Sequence, residues 1–252
     1  TATSNLGLGT GAVDSITTGD YNVGVGDGAL TNATSGNYNT ATGLQALLNN
    51  TTASFNTANG YQALYYNTTG AYNTATGYAT LYSNTTGNYN VATGLQALFY
   101  NTTGTSNTAS GYEALKSGQS YTAGTFTVGV TFVIAVVGTT DFTLIGASAN
   151  TVGISFVSTG LGTGTGTATS RNTGSYNTAN GYQALRYNTT GANNTATGFQ
   201  SLFSNTTGAY NTAIGRTALY FKTTGSHNTA LGYNAGDNIT TGSSNIIIGA
   251  SV

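Results

Sequence analysis

The sequence predicts an all-β fold: a parallel β-roll or β-helix solenoid of 17-residue coils, interrupted by one small inserted β-domain. Three observations support this prediction, namely a strict 17-residue repeat, a composition dominated by Thr, Asn and Gly, and a near absence of charge. A repeat of this length is too short for a pair of helices, which needs more than about 30 residues. Thr, Tyr and Val favour strands and Gly favours turns, so each repeat is expected to form one coil.

The repeat has the form N-[T/V]-A-x-G-x-x-A-L and occurs in twelve copies, which are degraded at the two ends of the array. Copies follow one another in steps of 17 residues from Asn5 to Asn107, and again from Asn177 to Asn245. Such regularity indicates that each repeat is one structural unit stacked on the next. The residues taken to define the repeat are Asn39, Gly43, Leu47, Asn56, Gly60, Leu64, Asn73, Gly77, Asn90, Gly94, Asn177, Gly181, Asn211 and Gly215.

Within one copy of the repeat, odd and even positions of a strand point to opposite faces, and this alternation predicts which side chains point inward. Asn39, Ala41 and Gly43 share one parity and would point to one face of a strand, whereas Thr40 and Thr42 would point to the other. Because the near-invariant side chains are the small ones, their face is expected to be the crowded interior. Gly residues at the turns are expected to supply the positive φ angles.

Larger apolar side chains recur at two further positions, exemplified by Leu47 and by Leu44 or Tyr61, and they are expected to provide the rest of the apolar fill. A single 17-residue coil encloses little interior, and Ala and Gly bury little area at roughly 25 cal/mol per Å². Three chains packed around one axis would bury the Leu and aromatic columns between them. We therefore expect a homotrimer, with a wide single-chain solenoid as the alternative.

The low charge follows from stacking and excludes several partners. The chain has five basic and six acidic residues, 4% of the total. In a stacked sheet a charged residue at a repeated position would face its own copy, and like charges directly opposite each other are destabilising. So few scattered cations predict no nucleic-acid partner and no anionic membrane partner. The longest apolar run, Val133–Val137, is far short of the roughly 18 residues of a membrane helix.

The residue types needed for common catalytic and metal sites are scarce. The chain has no Cys and a single His, His227, which replaces the Tyr of its repeat column. Glu113 likewise replaces a Gln of its column, and the Asp residues form no repeated pair. A glycosidase needs two placed carboxylates. We therefore expect no catalytic, cofactor-binding or metal-binding residue and no enzymatic activity.

Two further patterns leave alternatives open. Asn-x-Thr sequons recur from Asn50 to Asn205, and they are either turn residues in a ladder or glycan acceptors in an organism that glycosylates them. The threonines that follow, beginning with Thr51 and Thr68, form a regular row that could order water, which leaves ice binding as a third interpretation.

The period breaks once, so we divide the chain into repeats at 1–117, an inserted β-domain at 118–170 and continued repeats at 171–252. Alternating β-branched residues at Thr125–Val128, Thr131–Val137, Phe142–Ile145 and Gly153–Val157 predict four or five strands in the insert. Binding residues tend to lie on loops carried by a rigid scaffold. The insert could bind a receptor, decorate the rod without a ligand or lock neighbouring chains together. The candidate receptor-contact residues in it are Asp141, Phe142 and Asn150.

The segments Asn211–Leu219 and Asn245–Gly249 resemble the left-handed parallel β-roll repeats of trimeric autotransporter adhesin heads, and are even more similar to repeats of bacteriophage tail fibres. The segment Gly138–Ala147 resembles a module found in phage and prophage tail proteins. The resemblance covers about 200 residues. It implies a non-enzymatic structural segment of a phage tail fibre, located in the virion and supporting attachment to a host surface polysaccharide or receptor.

Other functions remain open at this point. A bacterial cell-surface adhesin or a self-assembling extracellular filament subunit is the alternative, and both would be extracellular. The repeats at Asn5-Leu6-Gly7 and at Asn245–Gly249 would expose bare strand edges, so end-to-end assembly of chains is a further hypothesis. A polysaccharide-degrading tailspike is disfavoured by the lack of acid pairs.

Overall fold

The computed structural model describes residues 4–250 and is all-β, with a parallel β-solenoid and one small antiparallel sheet, as predicted. The strands are β1 (Leu6–Leu8), β2 (Val23–Val25), β3 (Thr40–Thr42), β4 (Thr57–Asn59), β5 (Thr74–Thr76), β6 (Val91–Thr93), β7 (Thr108–Ser110), β8 (Ser120–Thr122), β9 (Thr131–Val136), β10 (Ser155–Val157), β11 (Thr167–Ser170), β12 (Thr178–Asn180), β13 (Thr195–Thr197), β14 (Thr212–Ile214), β15 (Thr229–Leu231) and β16 (Ile246–Ile248). Strands β1–β7 and β12–β16 form one twelve-stranded sheet in chain order.

The register of this sheet places every repeat residue beside its own copy. Thr40 pairs with Thr57 and Ala41 with Ala58, one period away. Strand β7 pairs directly with β12 across the insert, in the same register as the other pairs. The insert is therefore looped out of the solenoid without disturbing the stacking of its coils.

The interior of the solenoid is narrow and is filled within a single chain. Ala41, Ala46 and Leu47 are all fully buried, as are their copies in the central coils. The expectation that neighbouring chains are needed to bury the Leu column is therefore wrong. A corner residue such as Leu47 turns back into its own coil and fills the interior beside the small strand residues.

The second set of large side chains lies outside, contrary to the expectation that it fills the interior. Leu44 is 46% exposed and Tyr78 is 51% exposed. The rings instead stack on their copies along the surface, with centroids 5.0 Å apart between Tyr61 and Tyr78. A second exposed column, which includes Tyr38, stacks in the same way at 4.9–5.1 Å over five successive coils. Stacking at the coil spacing recovers part of the apolar contact that burial would give.

One asparagine precedes each strand of the twelve-stranded sheet. These asparagines form the strand Asn column, which is buried in all the central coils. The backbone N–H and Nδ2 of Asn73 both donate to Oδ1 of Asn56, at 2.9 and 3.2 Å, and Nδ2 also donates to the carbonyl of Gly87 at 2.9 Å. Oδ1 of Asn73 accepts the same pair of hydrogen bonds from Asn90. Buried amides are tolerated because every polar group is satisfied.

A second set of asparagines, the loop Asn column, runs along another corner. Nδ2 of Asn84 donates to Oδ1 of Asn67 at 2.8 Å and to the carbonyl of Gly87 at 2.9 Å. The column contains the six asparagines of the Asn-Thr-Thr sequons, and each of them is buried. The amides of these six are held in a ladder, which favours the turn interpretation over glycan attachment at those positions. The asparagines of the other Asn-x-Thr sequons, Asn32, Asn49, Asn193 and Asn238, lie outside the column and are not buried. The members of the column are Asn50, Asn67, Asn84, Asn101, Asn172, Asn188 and Asn205.

Lys222 interrupts the loop Asn column. Its side chain is fully buried and its Nζ donates to the carbonyl of Gly242. Burial lowers the pKa of Lys222. The Oδ1 atom of Asn205, which would accept from the next amide in the column, is buried without a hydrogen-bond partner. The ladder is therefore broken at this coil.

Replacing Lys222 with Asn is expected to raise the free energy of unfolding by about 1 kcal/mol, because the new amide would donate to Oδ1 of Asn205 and complete a buried hydrogen bond. Urea denaturation at neutral pH measures the change. Lys222→Leu is the matched control, since it removes the buried charge without supplying a donor. Equal stabilisation by both variants would contradict a role for the ladder.

Several corners use left-handed backbone at residues other than Gly. In one coil Gln62 and Leu64 both have φ of +53°, and Tyr72 has φ of +58°. The prediction that Gly makes the turns is thus incomplete. Left-handed backbone costs roughly 1–2 kcal/mol for such residues. The N–H groups of all three donate to carbonyls of adjacent coils, at 2.9, 3.0 and 3.2 Å, and stacking therefore offsets the local cost.

The insert is a four-stranded antiparallel sheet in the order β10-β9-β11-β8. Its core contains Phe126, Phe132, Phe142 and Phe156, whose rings contact one another. Two of the predicted strands are absent from the described insert. Thr125–Val128 is a turn region, and Phe142–Ile145 is a 3-10 helix.

Candidate functional site

A groove between the insert and the solenoid encloses about 780 Å³. We call it the insert groove. Its insert wall is formed by Thr131, Val133, Gly153, Ser155 and Val157. Its solenoid wall is formed by Tyr66, Thr68, Ser83, Thr85, Thr102 and Thr103, with Arg171 and Thr173 where the chain returns to the solenoid.

The solenoid wall presents threonine hydroxyls from successive coils. Thr68 Oγ1 donates to the carbonyl of Thr85 at 3.0 Å, and Thr85 Oγ1 donates to the carbonyl of Thr102 at 3.1 Å. Because the hydroxyl hydrogens are used in this way, the free lone pairs of these oxygens act as acceptors. This is the threonine row for which the sequence left ice binding open. Its hydroxyls are tied to the coils, and the insert covers part of it.

Arg171 is the only fully charged residue that lines the groove. Its guanidinium lies 4.6 Å from the centroid of the Tyr100 ring. Neither ion pair formed among the described residues includes Arg171, and its Nε and Nη1 atoms are buried without a hydrogen-bond partner. Burial lowers the pKa of Arg171, although Tyr100 and Tyr66 counter part of this effect. A guanidinium nevertheless keeps its charge at neutral pH.

The three predicted receptor-contact residues lie together in one capping turn. Asp141 Oδ1 accepts from Thr143 N at 3.0 Å and from Asn150 Nδ2 at 2.8 Å, while Phe142 N donates to Asn150 Oδ1 at 2.6 Å. The hydrogen bonds from Thr143 and Asn150 lower the pKa of Asp141. The ring of Phe142 is fully buried and offers no surface to a receptor. None of the three lines the insert groove.

A charged cluster sits where the chain leaves the solenoid for the insert. Glu113 Oε1 lies 2.6 Å from Lys116 Nζ, and its Oε2 lies 2.8 Å from Arg186 Nε, although that second contact is not aligned as a hydrogen bond. Gln183 Nε2 donates to Glu113 Oε2 at 2.8 Å. Gln62 donates to Gln45 in the same way at this repeat position, so Glu113 takes the place of a Gln in a ladder of side-chain hydrogen bonds. Burial raises the pKa of Glu113. The hydrogen bonds from Lys116 and Gln183 and the charges of Lys116 and Arg186 outweigh this effect and hold the pKa below its usual value. Both oxygens of Glu113 therefore accept hydrogen bonds, whereas Arg186 Nε is buried without one.

Tyr65, Tyr66 and Tyr82 form a cluster of contacting rings, in which burial and the neighbouring tyrosines raise the pKa of Tyr82 to about 12. His227 stacks on Tyr210 with centroids 5.0 Å apart, as a member of its aromatic column. Across residues 4–250, no three His, Cys, Asp or Glu side chains lie where they could hold a metal ion. No helix within the same range is long and apolar enough to cross a membrane.

Sequence reasoning missed the insert groove. Arg171 was the available signal, because it places a cation in a column that carries Tyr66, Ser83 and Tyr100 in other coils. Comparison of the chain with protein-family models, with curated proteins and with solved structures gives no match.

Proposed function

We propose that this chain is a non-enzymatic structural segment of an extracellular fibre, such as a bacteriophage tail fibre, and that it supports attachment to a host surface as a homotrimer. One surface carries the proposal. It is the strand face, which we define as the outward side chains of β1–β7 and β12–β16 together with the aromatic columns through Tyr72 and Tyr78 that flank them.

The strand face is large and poor in charge. Twelve strands at about 4.8 Å spacing and six residues at about 3.3 Å each give an area on the order of 1,000 Å². Its outward strand residues are most often threonines, such as Thr40, Thr57 and Thr74, and in these coils its apolar surface lies in the aromatic columns that flank them. Of the described residues on the strand face, Asp27 and Arg216 carry the full charges. Tyr72 is 48% exposed and Tyr89 is 60% exposed. Aromatic residues with few charges are typical of protein interfaces.

The rod itself supports a structural role. Each coil contacts its neighbours through backbone, Asn and aromatic ladders, so stiffness is distributed along the whole solenoid. The choice of three chains follows the resemblance of the repeats to trimeric adhesin heads. Since the Leu column is already buried in one chain, the exposed aromatic columns are the surfaces that association would bury.

The trimer predicts that a charge on the strand face separates the chains. Thr57→Lys places an ammonium on this face, and we expect sedimentation equilibrium to change from three times the 25.4 kDa chain mass to one chain mass. Thr69→Lys is the matched control, because Thr69 is equally an exposed threonine but lies in the loop away from the strands. The control variant should remain trimeric. A monomeric wild-type chain would overturn the proposal.

A filament subunit is the second candidate, because the outer strands present unpaired edges and apolar residues. Leu8 in β1 is 56% exposed, and Ile246 in β16 is 78% exposed. Exposed strand edges promote association with further strands. Electron microscopy of the purified chain separates the two candidates: rods of one fixed length support the fibre segment, and filaments of open-ended length support the subunit.

A further inference from the structure

We propose that the insert groove binds an acidic saccharide, with Arg171 receiving a carboxylate of the ligand. This proposal deepens the attachment role proposed above and rests on it for its biological meaning. The site lies within one chain and brings together Arg171, the threonines of the solenoid wall and Tyr66.

The size and lining of the groove fit a short stretch of saccharide. Its volume of about 780 Å³ lies within the range of ligand sites, which is about 300–1,000 Å³. Val133 and Val157 on the insert wall and Tyr66 on the solenoid wall supply apolar surface for the C–H faces of sugar rings. Hydroxyl groups of the ligand would complete the polar part of the contact.

The solenoid wall favours a ligand with repeated hydroxyl donors. Thr68 and Thr85 donate their own hydroxyl hydrogens to backbone carbonyls, and they therefore meet a ligand as acceptors. They come from adjacent coils at the same repeat position, about 4.8 Å apart. A polymer of sugar residues lying along the rod can donate to several of these oxygens in turn.

Arg171 determines the charge of the ligand. The guanidinium is the single full charge in the groove, and it lacks a carboxylate partner among the described residues. Stacking on Tyr100 holds it in place but does not neutralise it. A partly buried cation without a counter-ion is unfavourable, and an arriving carboxylate removes that cost. Carboxylate is the anion that uronic and sialic acid residues carry.

Calorimetric titration with a hexamer of galacturonic acid tests the proposal at neutral pH, where its carboxylates are ionised. We expect saturable binding that weakens with added salt, and at least tenfold weaker binding to the fully methyl-esterified hexamer. Arg171→Gln should weaken binding of the acid form at least tenfold. Lys222→Asn, which removes a buried cation that does not line the groove, should leave binding unchanged.

Two further measurements keep the test decisive if Arg171→Gln folds poorly. Val157→Glu places a carboxylate on the exposed edge strand of the groove, where Val157 is 52% exposed, and it should abolish binding without loss of fold. A hexaglutamate peptide distinguishes a saccharide site from an acidic-peptide site. Equal binding of the esterified hexamer, unchanged binding by Arg171→Gln and Val157→Glu, or tighter binding of hexaglutamate would each overturn the proposal. Sedimentation of the same samples shows separately whether the trimer is intact.

Discussion

Gly94→Ala is expected to lower the free energy of unfolding by about 3–5 kcal/mol, through backbone strain together with a steric clash. Gly94 belongs to the glycine column, formed by the Gly that follows each parallel strand, and has φ of +123°. A Cβ at Gly94 would lie 2.6 Å from the carbonyl oxygen of Gly111 in the next coil. Because the obstacle is backbone held in the sheet, the coils would have to separate.

Gly249→Ala is the matched control for this prediction. Gly249 occupies the same column with φ of +124°, and apart from its chain neighbours no heavy atom of the described residues lies within 4 Å of the position of a Cβ. It therefore carries the backbone strain alone, about 1–3 kcal/mol. Chemical denaturation of both variants measures the difference, which we expect to be about 2 kcal/mol. Equal losses would show that close stacking of the coils is not what requires Gly.

Asn73→Asp is expected to cost about 3–5 kcal/mol at neutral pH, because it leaves a buried carboxylate among acceptors. The substitution removes the two hydrogen bonds that Nδ2 donates to Asn56 Oδ1 and to the carbonyl of Gly87. Both acceptors would then face a negative charge in a fully buried position. The free energy of unfolding from urea denaturation measures the loss.

The pH dependence of this variant has a definite sign. Burial beside acceptors would raise the folded-state pKa of the new Asp above the unfolded value of about 3.9. The penalty is fully present above the folded-state pKa, and it diminishes as the pH falls toward the unfolded value, where the carboxyl is protonated in both states. The stability difference between wild type and variant should therefore narrow at acid pH.

Asn5→Asp provides the control, because Asn5 is only partly buried and begins the column. Its Oδ1 accepts from the N–H and Nδ2 of Asn22 at 2.9 and 3.0 Å, and a carboxylate keeps that role. Only its own donation to the carbonyl of Gly19 is lost. We expect a cost of about 1 kcal/mol, the usual worth of one hydrogen bond. If the free energy of unfolding of Asn5→Asp depended more on pH than that of Asn73→Asp, the role of the buried amide ladder would be contradicted.

The period alone was sufficient to predict the solenoid. A constant step of 17 residues places Ala41 beside Ala58, and only stacked coils make use of that identity. Parity then correctly placed Asn39 and Ala41 inside and Thr40 outside. These predictions succeed because strand geometry converts a spacing in the chain directly into a side of the sheet.

The corners could not be predicted in the same way. Leu44 and Leu47 both recur every period, and a repeat shows which positions are alike without showing which of them turn inward. The backbone of Leu47 is left-handed and its side chain points into the core, whereas the side chain of Leu44 remains outside. A left-handed Leu depends on hydrogen bonds with the adjacent coils, and the conformational propensity of a single residue does not include such bonds.

The insert groove was also beyond sequence reasoning. Stacking of coils places Arg171 in the same column as Tyr66 and Tyr100, but Val133 and Val157 face that column only because the antiparallel sheet packs beside those coils. The pattern instead singled out Asp141, Phe142 and Asn150. Asp141 caps the short 3-10 helix and Asn150 hydrogen-bonds to it, and contact of these residues with a receptor stays a prediction.

The ladders of side-chain amides give the rod an electrical polarity. Asn39 donates to Asn22, Asn67 donates to Asn50 and Gln62 donates to Gln45, so all three amide chains run in the same sense along the axis. Aligned amide dipoles add, and each bond polarises the next. In these ladders the amide hydrogens point toward the coil of β1 and the amide oxygens toward the coil of β16, and the strand Asn column keeps this direction from Asn5 to Asn245. A coil stacked onto this array continues the column when it has the same direction and is mismatched when it is reversed.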